Sequence, residues 1–358
     1  MTSSSALGLF PGRASPRLYD HVVEVLRTRH YSPRTIETYV HWIRRYSKFH
    51  EGRHPRELRE DDVNAFLSDL AVRSKVAAAT QNQALSAILF LYRHVLEQPL
   101  GRIEGIVRAR RPKRLPVALT ENEVCSVLEL MAGTPKLVCQ VLYGSGLRLL
   151  EALELRAKDI DFDRCELVVR SGKGDRDRVT MLPASLVDPL RFHLIGVREQ
   201  HQSDLAEGLG RVPLPHALAR KYKNADREWA WQRVFPASSH YTDRATGVRY
   251  RHHLHESVVQ KAVRDAAKQS GISKRITTHT FRHSFATQLL KNGYDIRTVQ
   301  ELLGHEDVRT TMVYTHVLNR GGLGVRSPLD SLTTVRRPTS YADREKLNRP
   351  TRKVRELD

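Results

Sequence analysis

Apolar residues recur at helical spacing along most of the chain. In "RLYDHVVEVLRTRHY" (17–31) and "SPRTIETYVHWIRRYSKFH" (32–50) they mark two amphipathic helices. The second has Ser32 placed to cap it and Pro33 at its first helical position, where the missing N–H costs nothing. "REDDVNAFLSDLAVRS" and "ATQNQALSAILFLYRHVLEQP" add two more, so the pattern predicts a four-helix unit over about residues 15–97. A short Ser/Gly/Pro-containing stretch, 1–14, precedes it as an expected flexible leader.

Periodicity breaks in "GRIEGIVRARRPKRLPVAL", which reads as an extended basic linker at about 98–117. Helices resume at "LTENEVCSVLELM", where Thr120 and Glu123 have the spacing of a capping box. "KLVCQVLYGSGLRLLEALELRAKDIDF" predicts a helix, a glycine-bearing turn and a second helix beginning near Arg148. "CELVVRSGKGDRDRVTMLP" differs in kind: two β-rich runs flank a Gly/Asp turn, which predicts a hairpin with Lys173 at its tip. From about 200 to 240 the chain is polar and poorly periodic, as an insertion in a helical domain would be, and "VRYRHHLHESVVQKAVRDAAKQSGI" is expected to return to helix. Two further helical patterns, "THTFRHSFATQLLKNG" and "DIRTVQELLGHEDVRTTMVYTH", complete a second domain at about 118–330. Residues 331–358 are basic, Pro-bearing and weakly patterned, and are expected to be disordered or ordered only on binding.

Charge narrows the partner. Lys and Arg number 59 against 40 Asp and Glu, a formal net charge of +19 spread along the chain, which points to a polyanion: nucleic acid first, an anionic membrane surface second. The linker concentrates Arg108, Arg110, Arg111, Lys113 and Arg114, cations suited to phosphate contact without sequence readout. The three cysteines are too few and too widely spaced for a disulfide framework or a closed zinc site. The first residues lack a basic n-region with a long apolar run, and no stretch of about 18 apolar residues occurs, so neither secretion nor a membrane span is expected.

Candidate chemistry gathers in three stretches. A helix starting near Thr278 puts His279 and Arg282 on one face near its N-terminus, an anion-binding arrangement. His305 follows Gly304 just past the next helix, with Tyr314 nine residues later. Upstream stand Arg148, with Glu151 three residues on, and Lys173. Two arginines, two histidines, a lysine and a tyrosine, with no carboxylate pair to hold a metal, suit phosphoryl transfer with tyrosine as nucleophile. Guanidinium forks match the non-bridging oxygens of the transition state, and a lysine can protonate the leaving oxygen.

"GSGLRLLEALEL", "THTFRHSFATQLL" and "LLGHEDVRTTMVYTHV" resemble the boxes of the tyrosine recombinase (phage integrase) family, and the likeness extends over about residues 15–330. The resemblance implies a two-domain, C-shaped DNA clamp: a helical N-terminal domain and a mainly α catalytic domain with a small β element. It implies Arg148, Lys173, His279, Arg282, His305 and Tyr314 as the catalytic set, Glu151 as the residue orienting Arg148, no cofactor or metal, and a homotetramer on DNA. "LPHALARKYKNADREWAWQRVF", "GVRYRHHLHE" and "GGLGVRSPLD" resemble the integron integrase branch, whose members act on folded single-stranded cassette sites as well as duplex ones. Trp229, Trp231, His252 and His253 are then candidates to contact unpaired bases, because aromatic stacking contributes roughly 1–3 kcal/mol per base. The resemblance further implies a bacterial, cytoplasmic, nucleoid-associated protein. Three alternatives stay open: a recombinase of duplex sites only, a topoisomerase working on one strand, and a catalytically silent DNA-binding protein.

Overall fold

The computed structural model describes residues 16–101, 116–170, 177–214, 216–244 and 246–317. The expected leader and tail, the basic linker residues Arg108, Arg110, Arg111, Lys113 and Arg114, and Lys173 at the hairpin tip all lie outside these residues. Contacts divide the chain into two units at residues 114 and 115.

The first unit is built from α1 (Pro16–Thr28), α2 (Pro33–Phe49), α3 (Glu60–Val72) and α4 (Ala78–Phe90), the last continuing into a π-helical turn at Leu91–Val95. Ser32 caps α2 by accepting from the Thr35 N–H, and Pro33 opens the helix, as the pattern predicts. The apolar stripes meet in one core that includes Val22, Leu26, Ile43, Tyr46, Val63, Phe66, Leu70, Ile88 and Leu91. Burying each such side chain fully contributes roughly 1.5–3 kcal/mol. Tyr46 and Tyr92 bury their hydroxyls by pairing at 3.1 Å, and Tyr92 donates onward to the Pro55 carbonyl at 2.8 Å.

The second unit is also mainly helical. It runs through α5 (Glu121–Glu129), α6 (Gly133–Ser145) and α7 (Leu149–Glu154), then β1 (Ile160–Asp161), β2 (Glu166–Val169) and β3 (Arg178–Met181). The Thr120–Glu123 capping box opens α5. β2 and β3 pair antiparallel, Glu166 opposite Met181, and β1 adds a third strand in the order β1-β2-β3.

The stretch expected to be an irregular insertion is more ordered than its pattern suggests. α8 (Val187–Ala206) continues to residue 206, and α9 (His216–Lys221) and two 3-10 turns, Ala225–Arg227 and Trp229–Trp231, follow. β4 (Pro236–Thr242) and β5 (Arg249–His253) then form a second antiparallel sheet, so "RYRHH" is strand where helix was expected. The reason is period-two burial: Arg251 and His253 turn inward, and Arg251 meets Asp204 of α8 through two 2.7 Å hydrogen bonds. Two buried charges paired this way read as polar surface in a sequence but function as core.

α10 (Glu256–Gln269), α11 (Thr278–Lys291), α12 (Ile296–Leu303) and the single turn α13 (Val308–Thr311) complete the unit, with a 3-10 segment at Met312–Val317. The main core gathers Val138, Leu142, Leu153, Leu167, Phe235, Val259 and Phe281. A smaller cluster, Phe285, Ala286, Leu290, Val299, Leu303 and Tyr314, joins α11 to α12 and to the 3-10 segment. Among the described residues no helix is long and apolar enough to cross a membrane.

Candidate active site

Two left-handed glycines bring distant segments together. Gly146 ends α6 at φ +67°, where a Cβ would collide with the Phe285 ring, so the chain turns tightly and places Arg148 at the start of α7. Gly304 ends α12 at φ +62°, and a Cβ there would lie 2.6 Å from the Arg178 side chain. The turn it makes carries His305 back over α11.

Glu151 is the centre of the arrangement. Its carboxylate accepts from the Arg148 backbone N–H at 2.8 Å and from Arg148 Nη1 at 2.5 Å. Arg178 of β3 grips it with both terminal nitrogens, at 3.1 and 2.6 Å, and Arg282 Nη1 stands 3.6 Å away. Burial pushes this carboxyl up, but Arg178 and then Arg148 override it and hold Glu151 at about 2. Three guanidiniums against one carboxylate leave two positive charges in excess.

Arg282 is almost fully buried and aims across the glycine turns. It donates to the Gly146 carbonyl at 2.5 Å, to the Leu303 carbonyl at 2.6 Å and toward His305 Nε2 at 3.2 Å. Burial, then Arg148, lowers it to about 10, which still leaves it charged near neutral pH. Because Arg282 is a donor, His305 Nε2 must accept, and the proton on Nδ1 goes to Thr311 Oγ1 at 2.9 Å. Burial and the surrounding arginines hold His305 at about 4, hence neutral. His279 sits at the exposed rim of α11, its pKa lowered by partial desolvation and by Arg282 and Arg148.

Tyr314 is only 2% exposed. Its hydroxyl lies 2.7 Å from His283 Nδ1. Burial raises its pKa, while Arg282 and Arg148 draw it back, so the phenol is neutral and yet within the field of both guanidiniums.

Arg148, Glu151, His279, Arg282, His305 and Tyr314 thus come together from α7, α11, the turn after α12 and the 3-10 segment. The other candidates lie elsewhere in the unit. Trp229 and Trp231 are partly buried: Arg198 of α8 lies over the first ring at 5.4 Å, and Arg156 over the second at 5.3 Å. His252 is partly buried; His253 is buried with Nδ1 2.8 Å from the Leu254 carbonyl oxygen, so its ring is engaged inside the fold. Two members of the cluster escaped the sequence reading. Arg178 could have been found from strand alternation, since it shares a face with buried Thr180. His283 follows Arg282 directly and lies one turn after His279. Among the described residues no group of three or more His, Cys, Asp or Glu could hold a metal ion.

Residues 118–320 match the phage integrase family, and residues 18–102 match its N-terminal SAM-like domain. An Escherichia coli protein named integrase/recombinase is 49% identical over 328 residues, 92% of this chain and 97% of that one. Tyrosine recombinase XerA of Thermococcus onnurineus is 32% identical, covering 80% of this chain and 86% of its own. By fold the chain is similar to XerH recombinase in a post-cleavage complex with its palindromic difH substrate: TM-score 0.58, 20% identity, 87% of this chain and 88% of that one. It is also similar to a lambda integrase dimer bound to a core site: TM-score 0.57, 17% identity, 85% and 95% coverage. A buried tyrosine in a cationic cluster, on a helical framework matched over both of its units, places this chain in the phage integrase family, as a tyrosine site-specific recombinase that breaks and rejoins DNA.

Proposed function

We propose that Tyr314 attacks the scissile phosphorus and that Arg148 and Arg282 bind its non-bridging oxygens. The observation that carries this reading is the excess of two positive charges around Glu151, with the Tyr314 hydroxyl inside its field. The phosphorane-like transition state spreads negative charge over those oxygens, and guanidiniums held in place beforehand stabilise it without reorganising. His279 supplies a further hydrogen bond to them, His305 holds Arg282 in place through Nε2, Glu151 orients Arg148, and Lys173 protonates the leaving 5′ oxygen. The product is a 3′-phosphotyrosyl ester with a free 5′-hydroxyl. A second strand's 5′-hydroxyl reverses the step, so the ester carries the bond energy and the exchange is completed among four protomers. Arg282→Ala is expected to slow adduct formation by about 10²–10³-fold, the cost of losing one oxyanion donor; a near-wild-type single-turnover rate would remove Arg282 from this scheme.

The finer reading is an integron integrase that integrates and excises gene cassettes, taking folded single-stranded cassette sites as well as duplex ones. On this reading it acts in the bacterial cytoplasm on nucleoid DNA, and the basic residues at 108–114 contact phosphates. What supports it is the inserted segment from the end of α8 to β5, with its two tryptophans beside cations. A base stacking on the Trp229 indole would bring its phosphate near Arg198. The open groove lined by Tyr39 of α2 and Thr80, Asn82, Gln83 and Ser86 of α4 offers hydrogen-bonding side chains to a duplex.

The test uses purified protein without divalent metal and a labelled cassette site, presented as folded bottom strand or as duplex. The expected result is an SDS-resistant adduct on the folded strand, with Trp229→Ala and Trp231→Ala together weakening its binding more than that of a perfect duplex. An adduct on duplex alone, with equal losses on both DNAs, would leave an ordinary duplex-site recombinase.

A further inference from the structure

We propose that His283 is a catalytic residue of strand cleavage: its Nδ1 accepts the hydrogen bond of the Tyr314 hydroxyl and takes that proton as the phenol oxygen attacks. This rests on Tyr314 being the nucleophile. The two rings lie 5.5 Å apart at 52°, and the nitrogen-to-oxygen distance of 2.7 Å is that of a formed hydrogen bond. Among the described residues the Tyr314 hydroxyl has no other hydrogen-bond partner. A buried donor left unpaired is costly, so its single proton points at His283 Nδ1, and the imidazole carries its own proton on Nε2.

The other two imidazoles of the cluster are placed differently. Both nitrogens of His305 are committed, Nε2 to Arg282 and Nδ1 to Thr311. His279 stacks on His283 at 6.3 Å, one turn earlier on α11 and toward the rim. Adjacent residues on a helix point about 100° apart. One rigid element therefore aims Arg282 at the glycine turns and His283 at the tyrosine. Burial, then His279 and Arg282, keep the imidazole at about 4, so it is neutral and its acceptor lone pair is available. The groups facing it are His279 and Arg282 on its own helix, His305 from the turn after α12, and Tyr314 itself. An arriving phosphodiester brings negative charge that offsets the cations opposing an imidazolium.

The step balances. As the bond from Tyr314 Oη to phosphorus forms, the bond from phosphorus to the 5′ oxygen breaks. The hydroxyl proton passes to His283 Nδ1, and the departing 5′ oxygen receives a proton from the Lys173 ammonium. In rejoining, the attacking 5′-hydroxyl returns its proton to Lys173, and the tyrosine leaves with the proton held by His283.

The test is His283→Asn, which leaves an acceptor near the Nδ1 position but cannot take the proton. Single-turnover adduct formation is measured on the labelled DNA to which wild type becomes linked, from about pH 6 to 9, with Tyr314→Phe alongside. Loss of a general base predicts a rate about 10²–10⁴-fold lower. It also predicts a rate climbing about tenfold per pH unit, because hydroxide must now take the proton, whereas wild type stays level. A rate within about threefold of wild type overturns the proposal, as does a slower rate with an unchanged pH profile, which is a structural role. If Tyr314→Phe still forms an adduct, the nucleophile assignment falls and this proposal with it; if only Tyr314→Phe loses the adduct, the nucleophile stands and His283 does not act on it. Without any DNA, the ¹⁵N resonance of His283 Nδ1 is expected to move in Tyr314→Phe, and no movement would remove the hydrogen bond on which the proposal rests.

Discussion

Tyr314→Phe is expected to bind site DNA as well as wild type and to form no covalent adduct with it. The substitution removes one oxygen from a side chain packed among Phe285, Ala286, Leu290, Val299 and Leu303, so the ring keeps its packing and the 3-10 segment its place. What disappears is the atom that would bond to phosphorus. The structural cost is confined to His283, whose Nδ1 loses its donor, and an unsatisfied buried acceptor costs about 1–3 kcal/mol. That amount shifts the unfolding midpoint of a unit this size by a few degrees and leaves it folded. The cluster around Glu151 keeps its positive excess, so affinity for phosphate is retained. Gel-shift titration and SDS electrophoresis of the same samples separate the two effects. Cleavage that persists would transfer the nucleophile to another residue and empty the cationic cluster of its proposed purpose.

Local signals are what made the helices and most of the candidate site legible. Ser32 with Pro33, and Thr120 with Glu123, announce helix starts because their hydrogen bonds close within four residues. Arg148 and Glu151 are readable for the same reason: three positions apart at a helix start, they bond to each other. Arg178 was not, because its partner Glu151 lies 27 residues away and on a different element. His283 and Tyr314, 31 residues apart, meet only once the α12 turn has folded back. The β4–β5 sheet failed to register because its inward side chains are Arg251 and His253, which hydropathy counts as polar. Where a buried charge is balanced by another far along the chain, as Arg251 is by Asp204, no window of sequence contains the reason for it.

Glu151→Ala is expected to cost the catalytic unit about 3–5 kcal/mol, because it removes the shared partner of buried cations rather than a surface charge. The side chains of Glu151, Arg178 and Arg282 are 8%, 10% and 4% exposed, so solvent screens little of the interaction. Arg282 keeps its carbonyl acceptors at Gly146 and Leu303, but among the described residues Arg178 retains only the Leu302 carbonyl for one of its three nitrogens. The contribution has a pH signature whose sign follows from Glu151 being held at about 2, below the ordinary glutamate value. A carboxyl depressed in the folded state binds fewer protons there than in the unfolded chain. Its stabilisation is therefore complete above the unfolded value of about 4.3 and is lost as the pH falls toward 2. A depression of that size corresponds to roughly 3 kcal/mol. Glu151→Gln, which keeps the shape and one acceptor but no charge, isolates this part. Denaturant titrations should show wild type and Glu151→Gln far apart near neutral pH and converging as the pH drops from about 5 to 2. A gap that stays constant across that window would mean that hydrogen-bond geometry, and not charge, is what Glu151 contributes to holding the three arginines together.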